Sequence, residues 1–238
     1  MDPSMKDWRL KWTRPSTRLR APRAAAIAGI VFSVLLITTL LLIRRTVPVL
    51  PLEAGEWLRE RSGTVFFAVN LVPFAGIAFL WFIGVLRDRL GDYEDHFFAT
   101  VFMGSGLLFL AMLFAATAFV GGIVVAYRIE FDRLPGSATF TVARAVAYEL
   151  TNVYAVRMAA VFTMATCTLA LRTGFVSRWI AFVGYAAALA LLFAGRHIDW
   201  IMLVFPIWVL LLSLHILFDN FGLSSKVGAS DRDKKGDA

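Results

Sequence analysis

Charged residues are scarce in this chain. Asp, Glu, Lys and Arg make up 17% of its 238 residues, whereas 59% are hydrophobic and the mean hydropathy is +0.71. An average soluble domain contains roughly 25% charged residues and distributes them over its surface. Here the charges gather in short clusters between long apolar runs, which is typical of membrane proteins. We therefore predict an all-α, polytopic helical membrane bundle whose solvent is the lipid bilayer.

Cysteines and catalytic motifs are also rare or absent. Cys167 is the only cysteine, so the sequence excludes an intramolecular disulfide and a thiolate metal cluster. It contains no nucleotide-binding loop, serine elbow, CxxC pair or EF-hand. Its histidines and acidic residues lack the spacing that is typical of a metal site. We predict no cofactor and no metal, and no motif indicates an enzyme.

Six apolar segments reach or approach the length of about 20 helical residues that a bilayer core of roughly 30 Å requires. They are residues 24–43, 64–86, 97–127, 141–171, 179–195 and 200–218. We predict one six-helix transmembrane domain at 24–218, a basic and disordered tail at 1–23, and a polar tail at 219–238. Between the first two spans, Pro51 is expected to start a separate short interfacial helix with Leu52, Trp57 and Leu58 on the lipid.

The net charge of +7 is explained by orientation in the membrane rather than by a nucleic-acid partner, because the basic residues do not follow one helix face. With both termini in the cytoplasm, 15 Lys and Arg residues lie inside and seven outside. Cytoplasmic segments of membrane proteins carry such an excess. Arg44 and Arg45 are exceptions, since they fall on the outer side. We predict a multi-pass protein with both tails cytoplasmic.

The fourth span is the most polar, and its polar residues are the candidate site. A charge near the centre of a membrane helix costs about 2.5 to 3.5 kcal/mol and therefore requires a partner or water. Arg157 is expected to lie at this depth, where a bound anion, an interhelix partner or a backbone carbonyl freed by Pro73 would satisfy it. The hypothesis is a cleft lined by the fourth span, whose ligand or ion is contacted by five residues: Arg157, Glu149, Asn152, Asn70 and Tyr154.

Stripes of small residues support a second hypothesis. The third span has Ala111, Ala115, Ala118 and Gly122 on one face, and the fifth span has Gly184, Ala188 and Gly195. Small residues allow close helix association in lipid, where no hydrophobic force drives it. The stripes favour a membrane protein partner or a homo-oligomer.

Two stretches resemble a group of uncharacterised bacterial membrane proteins: FLWFIGVLRDRLGDYEDHFFATVFMGSGLLFLAMLF at 79–114, and RMAAVFTMATCTLALRTGFVSRWIAFVGYAAALALL at 157–192. The resemblance covers about the central half of the chain. It implies a multi-span protein of a bacterial plasma membrane, and it transfers no active site.

Two functions therefore follow from the sequence. The first is an integral membrane protein that binds or transports a small solute, ion or lipid through the cleft of the fourth span. The alternative is a non-enzymatic subunit or assembly factor of a membrane protein complex.

Overall fold

The computed structural model describes residues 21–47, 56–90, 96–129, 134, 137–174, 176–194, 198 and 200–219. These residues form helices and no β-strand. The helices are α1 (Ala21–Thr46), α2 (Glu56–Leu90), α3 (His96–Ile129), α4 (Ala138–Thr173), α5 (Arg178–Ala194) and α6 (Ile201–Asp219). The six predicted spans are thereby confirmed as helices, and both predicted tails fall almost entirely outside the described residues.

Five of the helices, all except α5, are long and apolar enough to cross a membrane. The α5 helix is also apolar but has only 17 residues. The exposed side chains of the bundle therefore include groups that face lipid rather than water. Large apolar side chains such as Phe74, Trp81 and Phe193 are more than 60% exposed, as a lipid-facing surface requires.

The predicted separate interfacial helix after Pro51 is wrong for the part of it that the structure describes. Residues from Glu56 onward are the first turns of α2, which continues without a break to Leu90. Trp57 and Leu58 are buried in a hydrophobic cluster that includes residues of α3 and α4, instead of lying on lipid. The helix continues through Gly63 because its buried face, which starts at these two residues, goes on at Val65, Ala68 and Val72.

Phenylalanines from five helices form the centre of the bundle. The Phe79 ring of α2 lies 4.5 Å from that of Phe32 in α1, 5.4 Å from Phe109 in α3, 5.2 Å from Phe162 in α4 and 5.8 Å from Phe205 in α6, centroid to centroid. These five rings are fully buried. Tilted and edge-to-face ring pairs add about 0.5 to 1.5 kcal/mol each beyond area burial, so this cluster holds α1, α2, α3, α4 and α6 together.

Hydroxyl groups inside the helices bond to the preceding turn. Ser33 donates to the Gly29 carbonyl at 2.8 Å, and Thr163 donates to the Ala159 carbonyl at 2.8 Å. This pattern satisfies a buried hydroxyl within its own helix. Polar residues of this kind therefore cost little in the bundle and do not by themselves mark a site.

The α4 helix ends at a left-handed glycine. Gly174 has a φ of 67°, and its N–H donates to the Ala170 carbonyl at 3.0 Å. A residue with a side chain is strained in this conformation. The cap turns the chain toward α5, which then packs along α4.

A substitution at Gly184 tests the packing of α5 against α4 and α6. A Cβ at this position would collide with Cys167 Sγ and would lie 2.6 Å from Trp208 Nε1. We expect Gly184→Ala to destabilise the fold by about 1 to 3 kcal/mol because the interior is already filled. The measurement is the thermal midpoint of helix loss by circular dichroism.

The matched control for this substitution is Gly84→Ala. Gly84 is a helical glycine with no atom within 4 Å of an added Cβ. The control should leave stability unchanged or raise it by up to about 1 kcal/mol, because alanine favours the helix. Equal midpoints for the two variants would contradict the packing described for Gly184.

Candidate functional site

A cavity of about 130 Å³ lies at the end of the bundle where α1 and α3 end and α2, α4 and α6 begin. Each wall is one face of a helix. On α1 it is lined by Leu36, Thr39, Leu40, Ile43, Arg44 and Val47, whose spacing of three to four residues places them on the same side. From Leu36 to Val47 this wall extends roughly 16 Å along the helix axis.

The α4 wall of the cavity is locally π-helical. The backbone is wound as a π-helix over Leu150–Ala155, and the N–H of Val156 donates to the carbonyl of Thr151, five residues back. Thr151 and Asn152 lie within this segment and both line the cavity. Short π-helical segments are rare and occur frequently at functional sites.

Prolines adjoin two further walls. Val72 of α2 lines the cavity and precedes Pro73, which lies inside its helix. Met202 of α6 also lines it, and Pro206 lacks the N–H that would otherwise bond to the Met202 carbonyl. Irregular backbone at membrane depth is tolerated where it is enclosed by protein or lines a cavity.

The cavity has a polar side formed by α1 and α4. Arg44 Nη2 donates to Asn152 Oδ1 at 3.0 Å, and Asn152 Nδ2 donates to the Tyr148 carbonyl at 3.1 Å. Asn152 is 5% exposed and Arg44 is half-buried. Both polar groups of the amide are thus engaged, and the arginine of the first helix is joined to the fourth.

A second arginine lines the same cavity. Arg144 of α4 is 8% exposed, and its guanidinium carbon lies 5.6 Å from the centroid of the Phe140 ring. A guanidinium at this distance from an aromatic ring is stabilised by a cation–π interaction. Two arginines, Arg44 of α1 and Arg144 of α4, are thus among the described residues that line the cavity.

Trp57 contributes a buried donor to the cavity wall. Its side chain is 7% exposed, and its indole N–H has no hydrogen-bond partner among the described residues. Leaving such a donor unbonded costs about 1 to 3 kcal/mol. An acceptor inside the cavity would recover that energy.

The structure brings one of the five predicted site residues into this cavity. Asn152 lines it, whereas Glu149 is half-buried and is not among the lining residues. Arg157 and Tyr154 lie exposed on α4, and Asn70 lies exposed on α2. Arg157 donates to the Val153 carbonyl at 3.4 Å and Asn70 to the Phe66 carbonyl at 2.8 Å, each within its own helix. A ligand role for these four residues stays a prediction.

Arg44 and Trp57 were not predicted as site residues from the sequence. One feature of the sequence did set Arg44 apart: it is a basic residue on the outer side, whereas most basic residues are on the cytoplasmic side. Nothing in the sequence set Trp57 apart, because aromatic residues are common near the ends of membrane spans. Arg144 lies within the fourth span, the most polar of the six, but it was not among the predicted site residues either.

The two small-residue stripes have different surroundings. Gly184 and Ala188 of α5 are buried within this chain, against α4 and α6 in the case of Gly184. On α3, Ala111, Ala118 and Gly122 are exposed. Gly195 lies outside the described residues.

No metal site is present among the described residues, which contain no group of three His, Cys, Asp or Glu side chains close enough to hold an ion. Acidic residues between the predicted spans, such as Asp92 and Glu130, lie outside the described part of the chain. Comparison with family models, with curated proteins and with solved structures finds no match for this chain.

A pair of asparagine variants tests the link between α1 and α4. Asn152→Ala removes the acceptor of a charge-assisted hydrogen bond, and we expect it to lower stability by about 1.5 to 3 kcal/mol. The matched control, Asn70→Ala, removes an exposed amide and should change stability by no more than about 0.5 kcal/mol.

The measurement for these variants uses the single cysteine. Cys167 is 1% exposed, so a thiol-reactive fluorogenic dye reports its exposure as the bundle unfolds on heating. Adding Arg44→Gln to each variant completes a double-mutant cycle. A coupling energy near zero between Arg44 and Asn152 would show that their hydrogen bond does not stabilise the fold.

Proposed function

We propose that this integral membrane protein binds a small solute in the cavity between α1 and α4. The observation that carries the proposal is the π-helical segment of α4, because it lines the cavity with Thr151 and Asn152 at the level where Arg44 of α1 reaches across. A π-helical turn replaces the regular hydrogen bonds between residues four apart with bonds between residues five apart. Such turns are retained where a function or a specific contact requires them. The hypothesis of a cleft lined by the fourth span is thus retained with a different set of residues.

The size of the cavity supports a compact ligand. Its volume of about 130 Å³ is close to that of a cavity of roughly 150 Å³ that holds one benzene molecule. Such a site accommodates a small molecule, or a short part of a larger one, in contact with protein on several sides. Its walls come from five helices, so binding would also tie these helices together.

Filling the cavity tests this proposal. Ala147 is 6% exposed and lines the cavity, whereas Ala145 is exposed on the same helix. We expect Ala147→Leu to abolish solute retention by occupying the space, and Ala145→Leu to retain it. The measurement is intact-complex mass spectrometry of the protein extracted in native lipid particles, with the released solute identified after denaturation.

The result that would count against solute binding is the same retained molecule in Ala147→Leu and in the unsubstituted protein. A second outcome would favour the alternative function, a subunit or assembly factor of a membrane protein complex. In that case a protein would accompany the chain at fixed stoichiometry, and both variants would keep it.

One observation favours that alternative. An apolar groove of about 380 Å³ lies between α3 and the start of α4, and the exposed stripe residues Ala118 and Gly122 line it. Nothing lies within 4 Å of a Cβ added at Gly122, so a neighbouring helix would find room there. A partner that binds here should be released by Ala118→Leu, whereas Ala147→Leu should not release it.

We also propose that the protein lies in a bacterial plasma membrane with both termini in the cytoplasm. The support is the distribution of 15 basic residues on one side and seven on the other. If the short α5 crosses the membrane together with the five longer helices, the six described helices return the chain to the side on which it began. The cavity then faces the outer side of the membrane.

Cysteine labelling tests this orientation. In a Cys167→Ser background, a membrane-impermeant maleimide should label Glu53→Cys in intact cells, and Ser4→Cys or Ser230→Cys only after lysis. Labelling of either tail in intact cells would contradict the proposed orientation.

A further inference from the structure

We infer that the solute is the acyl chain of a membrane lipid, which enters the cavity sideways from the bilayer through an opening between α1 and α4. This inference rests on the proposed function and names the ligand class of the same cavity. Two properties of the structure carry it: the level at which α6 begins, and the depth and shape of the cavity.

The α6 helix lies beside both α1 and α4 only near the aromatic cluster. There the Phe205 ring lies 5.9 Å from Phe32 of α1 and 6.0 Å from Phe162 of α4, centroid to centroid. Because α6 begins at Ile201, it extends only roughly 6 Å beyond these rings along its axis. The α1 helix continues to Thr46, roughly 21 Å beyond Phe32.

Beyond the start of α6, a space remains between α1 and α4. The hydrogen bond from Arg44 to Asn152 crosses it roughly 18 Å from Phe32 along α1, and so roughly 12 Å beyond the start of α6. Within the described part of the chain, α1 packs along α2 and not along α4. Ile198 and Trp200, the described residues between α5 and α6, are each 50% exposed and do not line the cavity. The described helices therefore leave the cavity open on this side.

The exposure of the wall agrees with an opening at this place. On α2, the lining residues Trp57 and Val72 are buried. On α1 and α4, the lining residues Ile43, Tyr148 and Thr151 are half-buried. The wall is thus more exposed along α1 and α4 than along α2, as an opening between those two helices requires.

The opening lies at the depth of the hydrocarbon. The α1 helix has no charged residue between Arg23 and Arg44, and Leu36 and Leu40 of the cavity wall lie within this stretch. An uncharged run of this length spans the hydrocarbon core of a bilayer. A molecule that passes between α1 and α4 below Arg44 therefore comes from lipid and not from water.

The shape of the cavity fits a linear chain. Its wall extends roughly 16 Å from Leu36 to Val47, whereas its volume is only about 130 Å³. A benzene-sized volume over this length is narrow, and it holds about six carbons of a chain. The rest of a longer chain would leave through the opening into the bilayer. The ester carbonyl of the lipid would supply the acceptor that the buried Trp57 indole lacks among the described residues.

The test is photo-crosslinking in nanodiscs that contain phosphatidylcholine with a diazirine about six carbons from the ester of one chain. The labelled residues are identified by peptide mass spectrometry. We expect labelling of Leu113 and Met202, which line the cavity and are 3% and 2% exposed, so that a chain on the outer surface of the bundle does not reach them. Phe74 is the internal reference, because it is 63% exposed and lies close to Val72 in α2.

Two alanine variants show whether this labelling depends on the cavity. Ala147→Leu fills the cavity and should reduce the labelling of Leu113 and Met202 about ten-fold relative to Phe74. Ala145→Leu, the exposed control on the same helix, should leave this ratio unchanged. If Ala147→Leu does not fold, Thr151→Trp places a large ring at the half-buried edge of the opening and should reduce the ratio in the same way.

Three outcomes would overturn the inference. Equal labelling of Met202 in Ala147→Leu and in the unsubstituted protein would show that the chain reaches this residue without using the cavity. If Leu113 and Met202 are not labelled, but native mass spectrometry finds a solute that Ala147→Leu loses, the proposed function stands and the lipid class falls. If neither the labelling nor such a solute is found, both fall.

Discussion

The bilayer supplies no water to backbone groups, so each helix must satisfy its own carbonyls and N–H groups or lose several kcal/mol for each one left unbonded. Because of this constraint, a stretch of irregular backbone indicates where a helix is in contact with protein or a cavity rather than with lipid alone. One side of the π-helical turn of α4 faces the cavity, because Thr151 and Asn152 within it lie on the cavity wall, and Asn152 is bonded to Arg44 of another helix. The cavity and the irregular turn therefore depend on each other. A regular α4 would place different side chains opposite α1.

The constraint also accounts for how the bundle holds together. Apolar side chains gain nothing by leaving lipid for protein, so association depends on close packing and on rings that fit one another. Phe79 contacts rings from α1, α3, α4 and α6, and Gly184 allows α5 to approach Trp208. The buried small residues of α5 are thus used within the chain. On α3, Ala111, Ala118 and Gly122 remain exposed and are available to a partner.

The six helices were predictable because a run of about 20 apolar residues seldom occurs outside a membrane span. The site was less predictable, for two physical reasons. The contact between Arg44 and Asn152 joins residues that are 108 positions apart, which periodicity does not reveal. In addition, a helical wheel of 100° per residue assumes one winding throughout α4, whereas the π-helical turn changes the winding between Glu149 and Val156. Residues after the turn, including Arg157, therefore lie on a different face from the one that a regular helix would give them.

The aromatic cluster also bears on whether a solute in the cavity would only bind there or could pass through the bundle. Phe32 lies one turn deeper than Leu36 on α1, and Phe109 lies one turn deeper than Leu113 on α3. On α2, Phe79 follows Val72 by two turns in the same direction. These three rings are in contact with one another and are fully buried. They lie beneath the cavity on three of its walls, so a solute that enters from the end of the bundle meets close-packed rings. Passage would require Phe79 to separate from its neighbours, whereas binding of a solute in the cavity would require no such change.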